Sequence, residues 1–289
     1  MKKKPMGCLA KFIIILLIIF IPALIILIDS NTRLVTTEYK LQFNNLPAAF
    51  DGYRIVLIAD LHGAEHGKDN ERLVERIQSV NPDIITIAGD LVDKYQPGNP
   101  AEKQIDVAQK LVQKLVRIAP VYYVTGNHEW EPEIERQKLF SLLEENGADV
   151  LRNQYRRLSF GSDAIILAGI EDPLGPADMI KPEDLIKRIR EREDTGFIIA
   201  LYHRNYGLEM LSALGVDLIL SGHAHGGMVR LPFTDGLIGP RLEFLPTYTS
   251  GVYIKNNTKM VVTRGLGNHL GWTRFLNNPQ VVVVELQKG

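Results

Sequence analysis

The chain has 289 residues, of which 45% are apolar and 23% are charged, and these proportions are those of an ordinary globular protein with a sizeable core. Its formal net charge is only −1, and it contains a single cysteine, Cys8, near the N-terminus. A disulfide-stabilised fold and a structural metal site made of thiolates are therefore excluded.

The first 28 residues differ in composition from the rest of the chain. Residues 12–28 are uncharged and consist mainly of isoleucine, leucine and phenylalanine. As a helix they would be about 25 Å long, which is short for a bilayer but within the usable range. No small-residue cleavage site follows, so an uncleaved anchor is favoured over a signal peptide, and the lysines before the segment argue against a buried core helix.

Charged residues around this anchor predict its orientation. Lys2, Lys3, Lys4 and Lys11 precede the apolar segment, and no lysine follows it closely. We therefore expect residues 1–11 to be a cytoplasmic basic tail, residues 12–28 to cross the cell membrane once, and the remainder to be extracytoplasmic.

Because the net charge of −1 includes these four positive charges, the rest of the chain carries about −5. Nucleic acid is not an expected partner of such a domain, because its binding requires a basic surface.

The remainder of the chain has the pattern of a single α/β unit. Residues 29–51 are predicted to be a connector with one strand at 35–43, and residues 52–289 to form one domain in which short apolar runs alternate with amphipathic helices. Strands are predicted at residues 54–59, 83–88, 121–124, 164–170, 197–202 and 216–220. Helices are predicted at residues 70–80, 102–118, 133–146, 182–192 and 206–214. Later β-rich segments, which indicate a second sheet packed on the first, are residues 252–255, 259–263 and 280–286.

Polar side chains suited to metal binding follow several predicted strands directly. They are Asp60, His62, Asp90, Asn127, His128, His203, His223 and His225. Open α/β sheets bind ligands at the carboxyl ends of their strands, so we expect these side chains to converge. Any one of them alone could be a loop residue in solvent or, for an aspartate, a helix cap. The same ending on several strands argues instead for a metal site.

The order of these residues resembles the motif series of the calcineurin-like metallophosphoesterase superfamily. The matching motifs are Asp60-x-His62, Gly89-Asp90, Gly126-Asn127-His128-Glu129, His203 and Gly222-His223-x-His225. The resemblance covers roughly residues 52–288. The extended Gly-His-Ala-His-Gly-Gly sequence and the C-terminal segments around Arg264 and Arg274 are similar to the membrane-associated YkuE/YaeI-type branch.

The resemblance implies both a fold and a dinuclear metal centre. The fold is α/β, a four-layer sandwich in which two face-to-face mixed β-sheets are flanked by α-helices, here preceded by one N-terminal transmembrane helix. The implied ligands of the first metal ion are Asp60, His62, Asp90 and His225, and those of the second are Asp90, Asn127, His203 and His223. Asp90 would bridge the two ions.

Such a pair of ions is suited to phosphoester hydrolysis. Two cations about 3.5 to 4 Å apart bind a phosphoryl oxygen, activate a water for in-line attack and offset the charge on the leaving oxygen. A mixed set of imidazole, carboxylate and amide ligands suits Mn²⁺, Fe or Zn²⁺ better than Mg²⁺ or Ca²⁺, and Mn²⁺ is favoured. His128 is not an implied ligand; it would protonate the leaving alkoxide, or would alternatively orient a ligand such as Asn127.

The anchor and the resemblance together predict a membrane-anchored phosphoesterase. Its expected substrate is a lipid-linked or cell-envelope phosphoester or pyrophosphate, because residues 228–253 are rich in apolar and aromatic side chains, although these could equally be ordinary core. One alternative is a UDP-2,3-diacylglucosamine-type pyrophosphate hydrolase at the cytoplasmic face. A second, a non-catalytic metal-binding scaffold, is disfavoured because no implied ligand is missing.

Arg204 departs from the family pattern. It follows His203, where a small residue and proline are common. Arg204 could bind a substrate phosphate as a bidentate donor, or it could be a solvated surface charge.

Overall fold

The computed structural model describes residues 7–93, 98–132, 134–193, 196–231, 234–239, 242–268 and 273–289. It begins with helix α1, Cys8–Thr32, whose apolar side chains are largely exposed and whose length and composition are sufficient to cross a membrane. Most of the predicted basic tail, residues 1–6, lies outside the described residues. The helix continues four residues beyond the predicted end of the anchor, so only Arg33 and Leu34 separate it from the first strand.

Twelve strands and five further helices are found in the described residues. The strands are β1 Val35–Phe43, β2 Arg54–Ile58, β3 Ile84–Ala88, β4 Val121–Val124, β5 Asp149–Val150, β6 Gln154–Phe160, β7 Asp163–Ile170, β8 Ile198–Tyr202, β9 Leu218–Ser221, β10 Gly251–Lys255, β11 Thr258–Val262 and β12 Gln280–Lys288. The helices are α2 Glu71–Gln78, α3 Ala101–Leu115, α4 Arg136–Glu145, α5 Pro182–Arg192 and α6 Leu208–Ala213.

The strands form two mixed sheets of six strands each. The first has the order β1-β12-β2-β3-β4-β5, and all its neighbours are parallel except β12 and β2. The second has the order β10-β11-β9-β8-β7-β6, with antiparallel pairs at both edges and parallel strands at its centre. The carboxyl ends of the parallel central strands therefore lie along one edge of each sheet.

The apolar core explains why the chain adopts four layers. Strand residues alternate between the two faces of a sheet, so Ile55 and Leu57 pack between the sheets while Val56 and Ile58 pack under the helices. Helices α2, α3 and α4 cover the outer face of the first sheet, and α5 and α6 cover that of the second. The predicted four-layer α/β sandwich is confirmed.

The sequence predicts no strand at residues 149–150 or 154–160, where the structure has β5 and β6. Strand β6 pairs antiparallel with β7 at the edge of the second sheet, and only Leu158 of its residues is buried. An edge strand that carries Arg156 and Arg157 has no apolar run or clear alternation, which is why its pattern is weak. The predicted strands and helices otherwise correspond to observed elements; β1, β4 and α5 have the predicted bounds, and the others have shifted ends.

Candidate metal centre

The predicted site residues lie at the carboxyl ends of five strands from both sheets. Five of them have a left-handed backbone that a non-glycine residue seldom adopts: Asp60, His62, Asp90, His223 and His225, with φ between 47° and 70°. Glycine is required beside them, since a Cβ at Gly126 would lie 2.1 Å from Asp90 Oδ1. Sharp turns at the strand ends thus aim these side chains into one site.

The structure brings Asp60, His62 and His225 together as a first cluster. All three are buried, and one potential ligand atom of each lies within 4.8 Å of the others. The Nε2 atoms of His62 and His225 are 3.1 Å apart, and His225 Nε2 is 3.7 Å from Asp60 Oδ1.

A second cluster consists of Asp90, Asn127, His203 and His223. His203 Nε2 lies 3.1 Å from Asp90 Oδ2, 3.2 Å from Asn127 Oδ1 and 3.1 Å from His223 Nδ1. Asp90 Oδ2 also lies 3.9 Å from Nε2 of His62 in the first cluster. One carboxylate oxygen therefore stands between the two groups of ligand atoms.

The tautomer and the charges of these groups fit bound cations. His203 Nδ1 donates to the Ala88 carbonyl at 2.7 Å, so Nε2 is the ring nitrogen that is directed into the site. Burial and the neighbouring charge of Asp90 raise the pKa of Asp60 to about 7, against the opposing effect of His203. Burial disfavours a charged His203, yet Asp90 raises the pKa of that imidazole to about 9. Buried carboxylates held this closely need compensating positive charge, which protonated imidazoles or divalent transition metals bound to a nitrogen and oxygen donor set supply.

His128 lies beside Asp90 but is held by other groups. Its backbone N–H donates to Asp90 Oδ1 at 2.9 Å, and its Nε2 is 3.9 Å from Asp90 Oδ2. Its Nδ1 lies 3.5 Å from Asp93 Oδ1 and 3.2 Å from Glu131 Oε1. Burial opposes the charge on His128, but Asp90, Glu131 and Asp93 raise its pKa to about 9.

Two buried carboxylates of the site, Asp93 and Glu129, were given no role from the sequence, although Glu129 ends one of the quoted motifs. Asp93 lies between the Nδ1 atoms of His62 and His128, 3.5 Å from each. Glu129 accepts the backbone N–H groups of Gly126, Asp90 and Leu91 at 2.7, 3.0 and 2.7 Å. Their signal was present: each is an acidic residue within three positions of a predicted site residue, on the same loop. Glu129 holds the loops, whereas Asp93 contacts the two imidazoles and also forms, with His128 and Glu131, a further group whose potential ligand atoms lie within 4.8 Å of one another.

Arg204 is buried behind the second cluster. Only 3% of the residue is exposed, and its Nε and Nη2 both donate to the carboxylate of Asp172, the latter at 2.9 Å. Its Nη1 lies 3.1 Å from Nε2 of His223. Arg204 is therefore not a solvated surface charge, and only its Nη1 faces the site.

Residues 228–253 are a mixture of buried and exposed apolar side chains. Met228 is 1% exposed, and so belongs to the core, whereas Leu242, Phe244 and Leu245 are 63%, 71% and 56% exposed. Phe233 lies outside the described residues. Tyr206, which the sequence did not single out, is half exposed with its ring centroid 6.3 Å from that of His223.

Comparison with known proteins agrees with this geometry. A family model described as calcineurin-like phosphoesterase matches residues 53–227. YkuE of Bacillus subtilis, named as an uncharacterized metallophosphoesterase, is 30% identical over 256 residues, which are 87% of this chain and 85% of YkuE. A Danio rerio transmembrane protein with metallophosphoesterase domain is 27% identical over 98% of this chain and 64% of its own length. The resemblance seen in the motifs is confirmed: the chain belongs to the calcineurin-like phosphoesterase family, whose members use a dinuclear metal centre, and it is a hydrolase of phosphoric esters.

Proposed function

We propose that this protein is a membrane-anchored phosphoesterase that cleaves a phosphoester or pyrophosphate bond with two divalent metal ions. The position of Asp90 carries the proposal, because its Oδ2 lies 3.9 Å from Nε2 of His62 and 3.1 Å from Nε2 of His203. A carboxylate between two groups of ligand atoms is suited to a pair of cations about 3.5 to 4 Å apart.

Each cluster would hold one ion, and Asp90 would contact both. The proposed ligands of the first ion are Asp60, His62, Asp90 and His225, and those of the second are Asp90, Asn127, His203 and His223. Bound ions, for which we propose Mn²⁺, would supply Lewis-acid stabilisation of phosphoryl oxygens and a nucleophile from water. His128 donates its proton to the leaving oxygen, and Asp93 and Glu131 hold its ring in place and keep it charged.

Metal content and hydrolysis of a generic diester test this function. Purified full-length protein is expected to contain two transition-metal ions by elemental analysis and to hydrolyse bis(p-nitrophenyl) phosphate. A chelator should abolish the activity, and Mn²⁺ should restore it. Asp90→Ala should lose both ions, because it removes the oxygen between the clusters.

Asp217→Asn is the matched control for this variant. Asp217 is also a buried aspartate that accepts backbone and side-chain N–H groups, but its partners are Ile198 and Asn45, at the start of strand β8 and before β2. It should therefore keep both ions. Retention of both ions by Asp90→Ala would contradict the bridging role.

We further propose that the substrate is a lipid-linked or cell-envelope phosphoester or pyrophosphate. The exposed apolar side chains of Leu242, Phe244 and Leu245 support it, because they lie on a segment connected to the end of α1. Backbone bridges join Phe244 to Ile238, Ile238 to Val229 and Val229 to Phe275, and the adjacent Leu276 N–H donates to Ser30 Oγ. An apolar surface linked to the membrane helix is suited to receive an acyl or isoprenoid chain.

Turnover of matched substrates tests the lipid proposal. A long-chain phospholipid or polyprenyl phosphate ester should be hydrolysed faster than a short soluble analogue with the same head group. Leu242→Ser with Phe244→Ser should remove this difference and leave turnover of the short analogue unchanged. Ile254→Ser, at another exposed apolar residue (65%), is the control and should change neither rate. Equal rates for the long-chain and short substrates in the wild-type protein would refute the lipid proposal.

A further inference from the structure

Side chains of the last turn of α1, residues 29–32, bind the catalytic domain. Asn31 pairs with both backbone groups of Arg274: its Nδ2 donates to the Arg274 carbonyl at 2.8 Å, and its Oδ1 accepts the Arg274 N–H at 3.0 Å. One residue earlier in the helix, Ser30 Oγ accepts the Leu276 N–H at 2.8 Å. The helix end is therefore fixed to the domain at specific atoms.

The same pattern continues to Asp29. Its carbonyl oxygen accepts Nδ2 of Asn278 at 2.7 Å, so three consecutive helix residues bind alternate residues of segment 274–278. We call residues 274–278 the backing segment. Because the Thr32 carbonyl also accepts a hydrogen bond from the Arg72 side chain of α2 at 3.0 Å, the end of α1 is held in a fixed position on the domain.

The backing segment in turn holds two residues of the first cluster. Nδ2 of Asn277 donates to the His225 carbonyl at 2.7 Å. The side chain of Arg274, which is 0% exposed, donates to the Gly267 carbonyl at 2.6 Å, and the Gly267 N–H donates to the Asp60 carbonyl at 2.6 Å. The backbones of Asp60 and His225 are thus both tied to the segment that the helix end fixes.

This connection is tightly packed. A Cβ at Gly267 would lie 2.0 Å from the Leu61 carbonyl oxygen, and one at Gly265 would lie 2.7 Å from Asp60 Cβ. The loop that contains Gly265 and Gly267 has no room to shift without displacing the turn after β2, which carries Asp60. A displacement of the backing segment would therefore change the separation of Asp60 and His225.

We propose that the last turn of α1 is a positioning element of the first metal cluster, acting from Asn31 through Arg274 and Asn277 on His225 and Asp60. The membrane helix then has two roles, anchoring the protein and holding one of its two metal sites in the binding geometry. The inference rests on the proposed dinuclear centre, because it predicts unequal effects on the two ions.

The test is Mn²⁺ binding by the full-length protein in lipid nanodiscs, measured by elemental analysis after equilibration at graded Mn²⁺ concentrations. Asn31→Ala should weaken binding of one ion by about 10- to 100-fold, as loss of groups that orient metal ligands does elsewhere, and leave the other ion unchanged. Ser30→Ala removes one hydrogen bond to the backing segment, from the Leu276 N–H, and the one that Ser30 Oγ donates to the Ile26 carbonyl within α1. It should give the same selective effect with a smaller magnitude, which keeps the test decisive if Asn31→Ala folds poorly.

Thr32→Ala is the matched control. Among the described residues, its Oγ1 hydrogen-bonds to the Ile28 carbonyl within α1 and to no group of the backing segment, so this variant should bind both ions as the wild-type protein does. If Asn31→Ala and Ser30→Ala lower the melting temperature yet bind both ions with wild-type affinity, the helix end is merely structural and the inference is overturned. Fewer than two ions in the wild-type protein would instead refute the proposed dinuclear centre, and this inference with it.

Discussion

The Glu129 carboxylate accepts the backbone N–H of Asp90 at 3.0 Å, and with its other contacts it joins the turn after β3 to the turn after β4. Both turns carry proposed metal ligands. Glu129 is 0% exposed, and burial together with Asp90 raises its pKa to about 7.

Glu129→Gln is expected to destabilise the protein by about 2 to 4 kcal/mol, because an amide presents donors where the loops also present donors, and buried N–H groups lose their acceptor. Urea unfolding followed by circular dichroism measures this free energy. Glu144→Gln, at an exposed position of α4, is the control and should stay within about 0.5 kcal/mol of the wild-type value. If Glu129→Gln also changed the unfolding free energy by no more than about 0.5 kcal/mol, the loops would not depend on Glu129.

His128→Asn should keep both metal ions and lower kcat by about 10² to 10⁴, because proton donation to the leaving oxygen is lost while the proposed ligands stay in place. Metal content and steady-state kinetics on the same sample separate the two effects. Loss of an ion along with activity would mean that His128 has a structural role in the centre.

The buried imidazole of His66 should make the stability of the protein depend on pH. It is 7% exposed, its Nε2 lies 3.1 Å from the Leu266 carbonyl, and burial lowers its pKa to about 4. The unfolded chain, with an ordinary histidine pKa of about 6.5, binds the proton more readily, so stability is lost as pH falls from about 6.5 towards 4.

Between pH 7.5 and 5 this single group should cost about 2 kcal/mol of unfolding free energy. His66→Gln can still donate to Leu266 and cannot titrate, so its stability should fall by about 2 kcal/mol less than that of the wild-type protein over this range. Urea unfolding of both proteins at the two pH values makes the comparison. Identical pH dependence in the two proteins would exclude His66 as the titrating group.

Protease accessibility tests the predicted orientation. The lysines that precede the apolar segment predict that the catalytic domain lies outside the cytoplasmic membrane, so protease added to intact spheroplasts should degrade the domain and leave a fragment that contains α1. Spheroplasts lysed before protease addition provide the control. A protected domain would reverse the orientation and favour the cytoplasmic UDP-2,3-diacylglucosamine-type substrate.

Local patterns in the sequence were sufficient to predict most of the helices and strands and to identify the motif residues. The apolar run of α1, the apolar strands and the polar residue that follows each strand are encoded within a few positions, so they can be found without knowledge of the fold. Because parallel strands present their carboxyl ends on one edge, the convergence of Asp60, Asp90 and His203 could also be predicted. Their roles as ligands remain a proposal.

Only the tertiary structure revealed contacts between residues distant in sequence. The burial of Arg204 depends on Asp172, and the hydrogen bonds of Asn31 with Arg274 join positions 243 residues apart, neither of which a local pattern encodes. Strand β6 could not be predicted from the sequence for a related reason, because it is formed by pairing with β7 and its own composition does not indicate a strand. The sequence by itself therefore determined which side chains converge at the strand ends, whereas packing decided which groups hold them in place.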